Sequence, residues 1–202
     1  MDYILESSDI NDYLAADHYV DFENPLIRKK ADELFANFSD EEEEEKIKAA
    51  FEFVRDEIDH SADIDSERVT KRASEVLEYK EGICYSKSLL LAALLRCAKI
   101  PAGLCYQRLT RGDTPDTGYI VHGLNAVYLS NKKKWLRIDA RGNKLNVDAQ
   151  FTGEDEKIAF PVRREYEETD YPTIYAALHP SIIRVFETYN NRKIQELDID
   201  RL

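Results

Sequence analysis

Cys84 lies at the start of a leucine-rich segment that reads EGICYSKSLLLAALLRCAKIPAG from Glu81 to Gly103. A cysteine at a helix N-terminus is chemically favoured, because the positive end of the helix dipole and the free backbone N–H groups favour a thiolate over a thiol. The same N–H groups can stabilise the oxyanion that forms when a thiolate attacks a carbonyl. Cysteine is also among the most frequently buried residue types, so a packing role for Cys84 is the alternative.

A histidine and an aspartate further along the chain could assist such a cysteine. The segment VHGLNAVYLSNKKKWLRIDARG, residues 121–142, predicts two strands joined by a tight turn at SNK. If a two-residue loop starts at Ser130, His122 and Asp139 oppose each other directly and share one face of the hairpin. If the loop starts at Asn131 they are diagonal neighbours on that face, whereas a three-residue loop without a bulge would separate them.

Together, Cys84, His122 and Asp139 have the residue types of a nucleophile, a general base and the carboxylate that orients the base. Each is a weak signal alone. A lone histidine in a strand is more often structural, and an aspartate at a strand end is more often solvated. Their order and local contexts together are more specific, and they predict a thiol catalytic triad.

Hydrophobic periodicity predicts several helices in the first half of the chain. One begins at Pro25, a residue type that fits the first helical position. Ser39 and Glu42 form a predicted capping box ahead of a second helix, and a short helix is expected over 72–79. In the helix that follows Cys84, leucines cover all sides, which predicts that it is buried centrally.

Strand patterns dominate the second half of the chain. Segments 102–109, 119–130 and 133–140 are rich in β-branched and aromatic residues and predict strands. A further strand is expected over 156–163, and a helix after Pro172. Helices first and strands later predict an α+β fold, with an antiparallel sheet packed on the central helix.

Composition bounds the class of protein. The 202 residues suffice for one domain with a real core. Lys and Arg number 28 against 40 Asp and Glu, a net charge of −12. Such a balance argues against nucleic acid and against an anionic membrane surface as partners. We attribute the acidity to solubility rather than to a basic substrate. The oligomeric state stays open.

The cysteines, the N-terminal sequence and the apolar runs indicate in which cellular compartment the protein is expected. Three cysteines, Cys84, Cys97 and Cys105, do not suggest a disulfide framework, so we expect a reducing, cytoplasmic compartment and packing roles for the last two. No C-x-x-C spacing exists, and a zinc site is not expected. The N-terminus lacks the pattern of a signal peptide, and the aliphatic run 89–95 is too short to span a membrane.

The sequence resembles the transglutaminase-like superfamily, whose fold is that of papain-like thiol enzymes. In that family a Gly-x-Cys opens a buried helix that runs into Leu-Leu-Arg and then Ile-Pro-Ala, a histidine begins a strand, and a tryptophan precedes an aspartate in the next strand. The matching residues here are Gly82-Ile83-Cys84, Leu94-Leu95-Arg96, Ile100-Pro101-Ala102, His122, and Trp135 ahead of Asp139. The resemblance covers about residues 57–142 of an expected single domain, with a helical part at 1–56 and a strand and helix extension at 143–202.

This resemblance implies a papain-like α+β fold and a thioester mechanism, with Cys84 as nucleophile, His122 as general base and acid, and Asp139 as the orienting carboxylate. It implies a cysteine-dependent amide or peptide hydrolase or an acyltransferase, acting on a peptide, protein or small amide. As a bacterial-type member without the calcium sites of animal transglutaminases, the protein is expected to need no metal and no cofactor. The family also includes members that lost activity, so a catalytically silent binding or scaffold module is the alternative. A third possibility is acyl transfer from a small thioester donor.

Three features of the predicted site are open. His122 is followed by Gly-Leu, where the family often has Ala-Trp. The family usually takes a side-chain donor for its oxyanion hole from upstream of the cysteine, and here His60 and Tyr79 are the candidates. The loop 110–119 is expected to border the cleft and to act as a lid.

Overall fold

The computed structural model describes residues 2–112 and 114–188, so the end of the predicted C-terminal extension, 189–202, lies outside the described residues. The helices are α1 (Pro25–Phe35), α2 (Glu43–Glu57), α3 (Ala73–Tyr79), α4 (Cys84–Cys97) and α5 (Pro180–Thr188). The strands are β1 (Ile4–Leu5), β2 (Asp59–His60), β3 (Glu81–Gly82), β4 (Ala102–Thr110), β5 (Tyr119–Leu129), β6 (Lys134–Ile138), β7 (Thr169–Asp170) and β8 (Thr173–Ile174). Helices precede the main sheet, as the α+β prediction requires.

The main sheet is antiparallel and has four strands in the order β6-β5-β4-β7. Two small parallel pairs accompany it, β1 with β8 and β2 with β3. The second pair sets His60 opposite Gly82, immediately before the chain enters α4. This pairing places His60, which follows the end of α2, beside the start of α4.

Helix α4 occupies the centre of the fold. It contacts α1, α2 and α3 as well as strands β4 and β5. Its fully buried leucines are Leu89, Leu90, Leu91, Leu94 and Leu95. The central burial predicted from leucines on all sides of the helix is thereby confirmed. Among the described residues, no helix combines the length and the apolar character needed to cross a membrane.

The second helix starts later than the capping box predicts. Helix α2 begins at Glu43, and no side chain caps its first turn. The Glu42 carboxylate accepts the backbone N–H of Ser39 at 2.8 Å, so only the carboxylate half of the predicted box is present. That contact closes the turn before the helix, and the glutamates of the first helical turn complement the helix dipole instead.

The hairpin between β5 and β6 adopts the later of the two predicted registers. Leu129 pairs with Lys134, so a two-residue loop starting at Ser130 is wrong, and four residues separate the paired positions. In this register Asp139, one residue past β6, is a diagonal neighbour of His122. Because side chains alternate between faces with a period of two, both residues still lie on one face.

The strand predicted over 156–163 is absent. Within that segment only Lys157 makes a β-bridge, to Gln150. The Ala159 backbone N–H donates to the Asp139 carboxylate at 3.1 Å, so it is not available for a strand ladder. Strand β7 takes the sheet edge beside β4 instead.

The helix predicted after Pro172 begins only at Pro180, because the chain first forms β8. In α5 the apolar side chains predicted to point inward include Ile182, Val185 and Phe186, which are buried, whereas Ile183 is half-buried.

Arg96, near the end of α4, binds the backbone of three other segments of the chain. Its side chain is 3% exposed. The guanidinium donates to the carbonyl oxygens of Ala102 at 3.0 and 2.7 Å, of Ala15 at 2.7 Å and of Ala176 at 2.7 Å. Burial lowers the pKa of Arg96 to about 10. These hydrogen bonds attach both the N-terminal and the C-terminal segments to the central helix.

We expect Arg96→Ala to lower the free energy of unfolding by about 3 kcal/mol, because three carbonyl groups lose a charged donor. Chemical denaturation followed by circular dichroism measures the loss. Arg184→Ala, at an exposed position of α5, is the matched control and should change stability by less than about 0.5 kcal/mol. An equally small effect of both substitutions would contradict the role assigned to Arg96.

Candidate active site

The three side chains predicted to act together converge on one cleft. Cys84 is the first residue of α4, His122 lies in β5, and Asp139 directly follows β6. His122 Nε2 is 2.8 Å from Asp139 Oδ2. Cys84 lines the same cleft and lies near enough to His122 to contribute to raising the pKa of its imidazole. Because Nε2 is engaged by Asp139, Nδ1 is the ring nitrogen left to interact with Cys84.

The Cys84 sulfur sits at the open N-terminal end of α4. Ile83 precedes the helix without capping it through a side chain, and the first helical hydrogen bond runs from the Lys87 N–H to the Ile83 carbonyl at 2.9 Å. The N–H groups of the residues between them, including that of Cys84, therefore have no partner within the helix. The thiol is half-buried and lines the cleft.

The other two cysteines lie elsewhere. Burial raises the pKa of Cys105, in β4, to about 12. Burial also raises the pKa of Cys97, at the far end of α4. Cys84 is the cysteine that the cleft exposes to a ligand.

A glycine allows β5 to approach the start of α4. The Gly123 backbone N–H donates to Cys84 Sγ at 3.5 Å. A Cβ at this position would lie 2.7 Å from Tyr85 Cδ1 and 3.4 Å from Tyr85 Cα. The departure from the family's alanine after the histidine therefore has a steric reason, because the Tyr85 ring fills the space.

Asp139 is 1% exposed and accepts three hydrogen bonds. Besides His122, its donors are the backbone N–H groups of Arg141 at 3.1 Å and of Ala159 at 3.1 Å. Burial raises the pKa of Asp139, but the His122 charge and these hydrogen bonds outweigh it and hold that pKa below the ordinary value. The carboxylate is therefore ionised at neutral pH.

His122 is 3% exposed and carries a positive charge at neutral pH. Burial lowers its pKa, but the Asp139 charge and hydrogen bond, together with the contribution of Cys84, raise it to about 10. An imidazolium beside a sulfur stabilises the thiolate form of that sulfur. The edge-on ring of Phe160, with centroids 5.2 Å apart, covers the imidazole.

His60 lines the same cleft as a neutral imidazole. Burial and then the charge of Arg141 lower its pKa to about 3. Its Nδ1 accepts the Ala62 backbone N–H at 3.3 Å, so the proton of the neutral ring resides on Nε2. His60 is thus held as an N–H donor next to the entry into α4.

Of the other parts predicted to lie near the cleft, Tyr79 lies outside it, whereas the start of the loop 110–119 lines it. Tyr79 is 45% exposed, and the Arg68 guanidinium lies 4.0 Å from its ring centroid, away from the residues that line the cleft. The start of the predicted loop, Thr110 to Gly112, does line it.

The cleft has a volume of about 720 Å³. This lies within the usual range for sites that take small ligands or a short length of chain. Within residues 2–112 and 114–188, no three His, Cys, Asp or Glu side chains are grouped so as to hold a metal ion.

Sequence reasoning missed the basic side chains of the cleft. Arg141 and Lys144 line the cleft, and both follow Asp139 closely in the sequence. The one available signal was the run ARGNK that follows the strand, which has no spacing characteristic of a binding motif.

Comparison with known families agrees with this architecture. The family model for the transglutaminase-like superfamily matches residues 28–140, more than half of the chain. This protein therefore belongs to the transglutaminase-like superfamily. The match begins in α1, well before the region in which the sequence motifs are found. No curated protein matches the sequence.

A solved structure shares the fold, and a second was also found to be similar. A proposed cysteine protease from Cytophaga hutchinsonii is 18% identical, with a TM-score of 0.53, and the match covers 67% of this chain and 43% of that one. The periplasmic domain of TgpA from Pseudomonas aeruginosa is 19% identical, with a TM-score of 0.46, covering 66% of this chain and 48% of that one. The chain thus spans less than half the length of either protein. The predicted papain-like, transglutaminase-like fold is confirmed.

We expect His122 to stay protonated and His60 to stay neutral between about pH 5 and 8, because their pKa values lie near 10 and near 3. NMR of the imidazole nitrogens reports both charge and tautomer, and it should place the His60 proton on Nε2. His60→Gln and His122→Gln assign the signals. A titration of either ring near the ordinary histidine value of about 6.5 would contradict the described electrostatics.

The same shift predicts a pH dependence of stability. The His122 pKa in the folded protein lies above the value of about 6.5 in an unfolded chain. Its contribution is therefore complete below about pH 6.5 and is lost as the pH rises toward about 10. Denaturation curves should show this decline in the native protein and less of it in His122→Gln.

Proposed function

We propose that this protein is a cysteine-dependent amide or peptide hydrolase that works through a thioester at Cys84. The observation that carries the proposal is the meeting of Cys84 with the hydrogen-bonded pair of His122 and Asp139 in one cleft, at the open end of a buried helix. Membership of the transglutaminase-like superfamily supports it, as does the fold shared with the Cytophaga protein.

In the first half of the proposed reaction, the Cys84 thiolate attacks the carbonyl carbon of the substrate. The carbon–sulfur bond forms, and the negative charge moves to the carbonyl oxygen. His122 then gives its proton to the leaving nitrogen as the carbon–nitrogen bond breaks. Once the sulfur is acylated, its charge no longer stabilises the imidazolium, so the proton is transferred more easily than from the resting pair.

In the second half, water attacks the thioester and His122 accepts a proton from it. The carbon–sulfur bond breaks, a carboxylic acid leaves, and the thiolate and imidazolium are restored. Asp139 keeps the ring oriented throughout, because its oxygens are held by the N–H groups of Arg141 and Ala159. An amine in place of water would give acyl transfer from the same intermediate. We expect water, because it is always present.

His60 is the proposed side-chain donor to the oxyanion. The Cys84 backbone N–H supplies one donor, and His60 Nε2–H supplies a second from the neighbouring strand β2. A neutral ring is suited to this role, because it donates a hydrogen bond without protonating the thiolate. Tyr79, the other candidate, lies away from the cleft.

Selective reactivity of Cys84 tests the proposed thiolate and imidazolium pair. We expect iodoacetamide to modify Cys84 faster than Cys97 or Cys105, with the rate sustained below about pH 7, because the charged His122 stabilises the thiolate. Mass spectrometry maps the sites. In His122→Gln the rate below neutral pH should fall by about tenfold or more.

An activated ester tests the next step. p-Nitrophenyl acetate should leave an acetyl group on Cys84 that water then removes, and Cys84→Ala should show neither event. Alkylation with the pH profile of a free thiol, near 8.5, together with no acetylation would instead favour the silent binding module.

We expect His60→Ala to slow acetylation of Cys84 by about a hundredfold, because an oxyanion donor is lost. His60→Gln keeps an N–H donor and should recover much of the rate. Alkylation by iodoacetamide forms no oxyanion, so it is the control and should change little in either variant. Equal losses in acetylation and alkylation would mean that His60 only supports the structure of the site.

A further inference from the structure

The charge of the cleft is opposite to that of the chain. The chain has a net charge of −12. Yet the basic side chains that line the cleft are Arg111, Arg141, Lys144 and Arg163, and the acidic one is Glu168. Fields inside a cleft with low-dielectric walls are set by the nearby charges more than by the net charge of the chain.

At one end of the cleft, a single carboxylate holds two basic groups. The Arg141 guanidinium donates to both oxygens of Asp63, at 2.5 and 2.9 Å. The Lys144 ammonium donates to Oδ1 of the same carboxylate at 2.7 Å. The Arg141 side chain is 8% exposed and the Lys144 side chain is 47% exposed. This group therefore carries one positive charge more than it carries negative charge.

At the other end, Arg163 is paired within the protein. The Arg163 guanidinium donates to the Glu168 carboxylate at 2.6 Å. Glu168 also accepts the hydroxyl of Thr110 at 2.8 Å and its backbone N–H at 3.1 Å. The Glu168 carboxylate therefore joins the end of β4 to Arg163. A positive excess lies at the end formed by Asp63, Arg141 and Lys144, where one carboxylate binds two basic groups.

Neighbouring groups respond to this excess. Lys87 is buried behind the cleft, and burial and then the Arg141 charge lower its pKa to about 8. The pKa of His60 is lowered by burial and by the same arginine. A substituent with a negative charge would relieve the repulsion among these basic groups.

We propose that the acyl donor carries a carboxylate near the carbonyl that Cys84 attacks, and that Arg141 and Lys144 bind this carboxylate. The inference rests on the proposed function, because it names the substrate class of the same site. Arg141 is held rigidly by Asp63, which accepts two of its five N–H groups, so the guanidinium still has donors for a second carboxylate at the wall of the cleft. Lys144 is half-exposed and has further N–H donors to turn toward a ligand.

The carboxylate can come from an aspartate or glutamate side chain or from a free chain terminus. Four iodoacetyl probes separate these sources. N-iodoacetyl-glycine and its amide compare a terminal carboxylate with a neutral group. The α-amides of N-iodoacetyl-aspartate and N-iodoacetyl-asparagine compare a side-chain carboxylate with its neutral counterpart. Rates of Cys84 modification are normalised to those of free cysteine in the same buffer.

We expect at least one carboxylate probe to react about fivefold or more faster than its neutral counterpart, which is the size of effect expected from one charge nearby in water. The larger ratio identifies the source of the carboxylate. Lys144→Gln should remove most of the preference. Asp63→Asn should increase it, because the amide oxygen still accepts hydrogen bonds without neutralising the basic groups. Lys29→Gln, an exposed lysine of α1, removes the same charge elsewhere and should leave the ratio unchanged.

The probes distinguish failure of the carboxylate inference from failure of the proposed function. If neutral probes modify Cys84 selectively but both ratios are near one, the carboxylate inference is wrong and the proposed function stands. A preference that persists in Lys144→Gln and does not rise in Asp63→Asn also overturns the inference. If neutral probes modify Cys84 no faster than Cys97 and Cys105, the proposed function itself fails.

Discussion

The ion pair of His122 and Asp139 is buried, and its burial constrains the backbone around it. Removing a carboxylate from water costs several kcal/mol unless hydrogen bonds and an opposite charge compensate. Here the compensation comes from His122 and from two backbone N–H groups, those of Arg141 and Ala159. Both donors belong to segments outside the regular strands. The irregular backbone near residue 159 is therefore a condition for keeping an ionised carboxylate in the core.

Helix α4 links the stability of the fold to the chemistry of its N-terminus. Its apolar surface is buried on all sides, and Arg96 attaches the segments around Ala15 and Ala176 to its C-terminal turn. A helix held this firmly presents Cys84 at a defined position. Gly123 completes the arrangement, because a Cβ here would collide with the Tyr85 ring at the point where the β5 backbone reaches the sulfur. Rigid elements of this kind position reactive groups more accurately than loops do.

Two histidines in one cleft have opposite charge states for identifiable reasons. His122 contacts the Asp139 carboxylate, whereas burial and the charge of Arg141 lower the pKa of His60, whose Nδ1 accepts a backbone N–H. A site of this kind holds an acid and a neutral hydrogen-bond donor at the same pH. The positive end of the cleft, around Asp63, helps to keep His60 neutral beside a charged His122, although the chain as a whole is acidic.

Local pattern in the sequence was enough to predict the buried helix, the position of Cys84 at its start and the common face of His122 and Asp139. Helical and strand periodicities are properties of neighbouring residues, and both two-residue loops of the hairpin lead to the same face. Tertiary structure alone decided the register, the donors to Asp139, the tautomer of His60 and the pairing of Asp63 with Arg141. Two of these contacts join residues far apart in the chain: Asp139 and Ala159 are 20 positions apart, and Asp63 and Arg141 are 78 positions apart. Because long-range contacts depend on how whole elements pack, no spacing within a single segment reveals them.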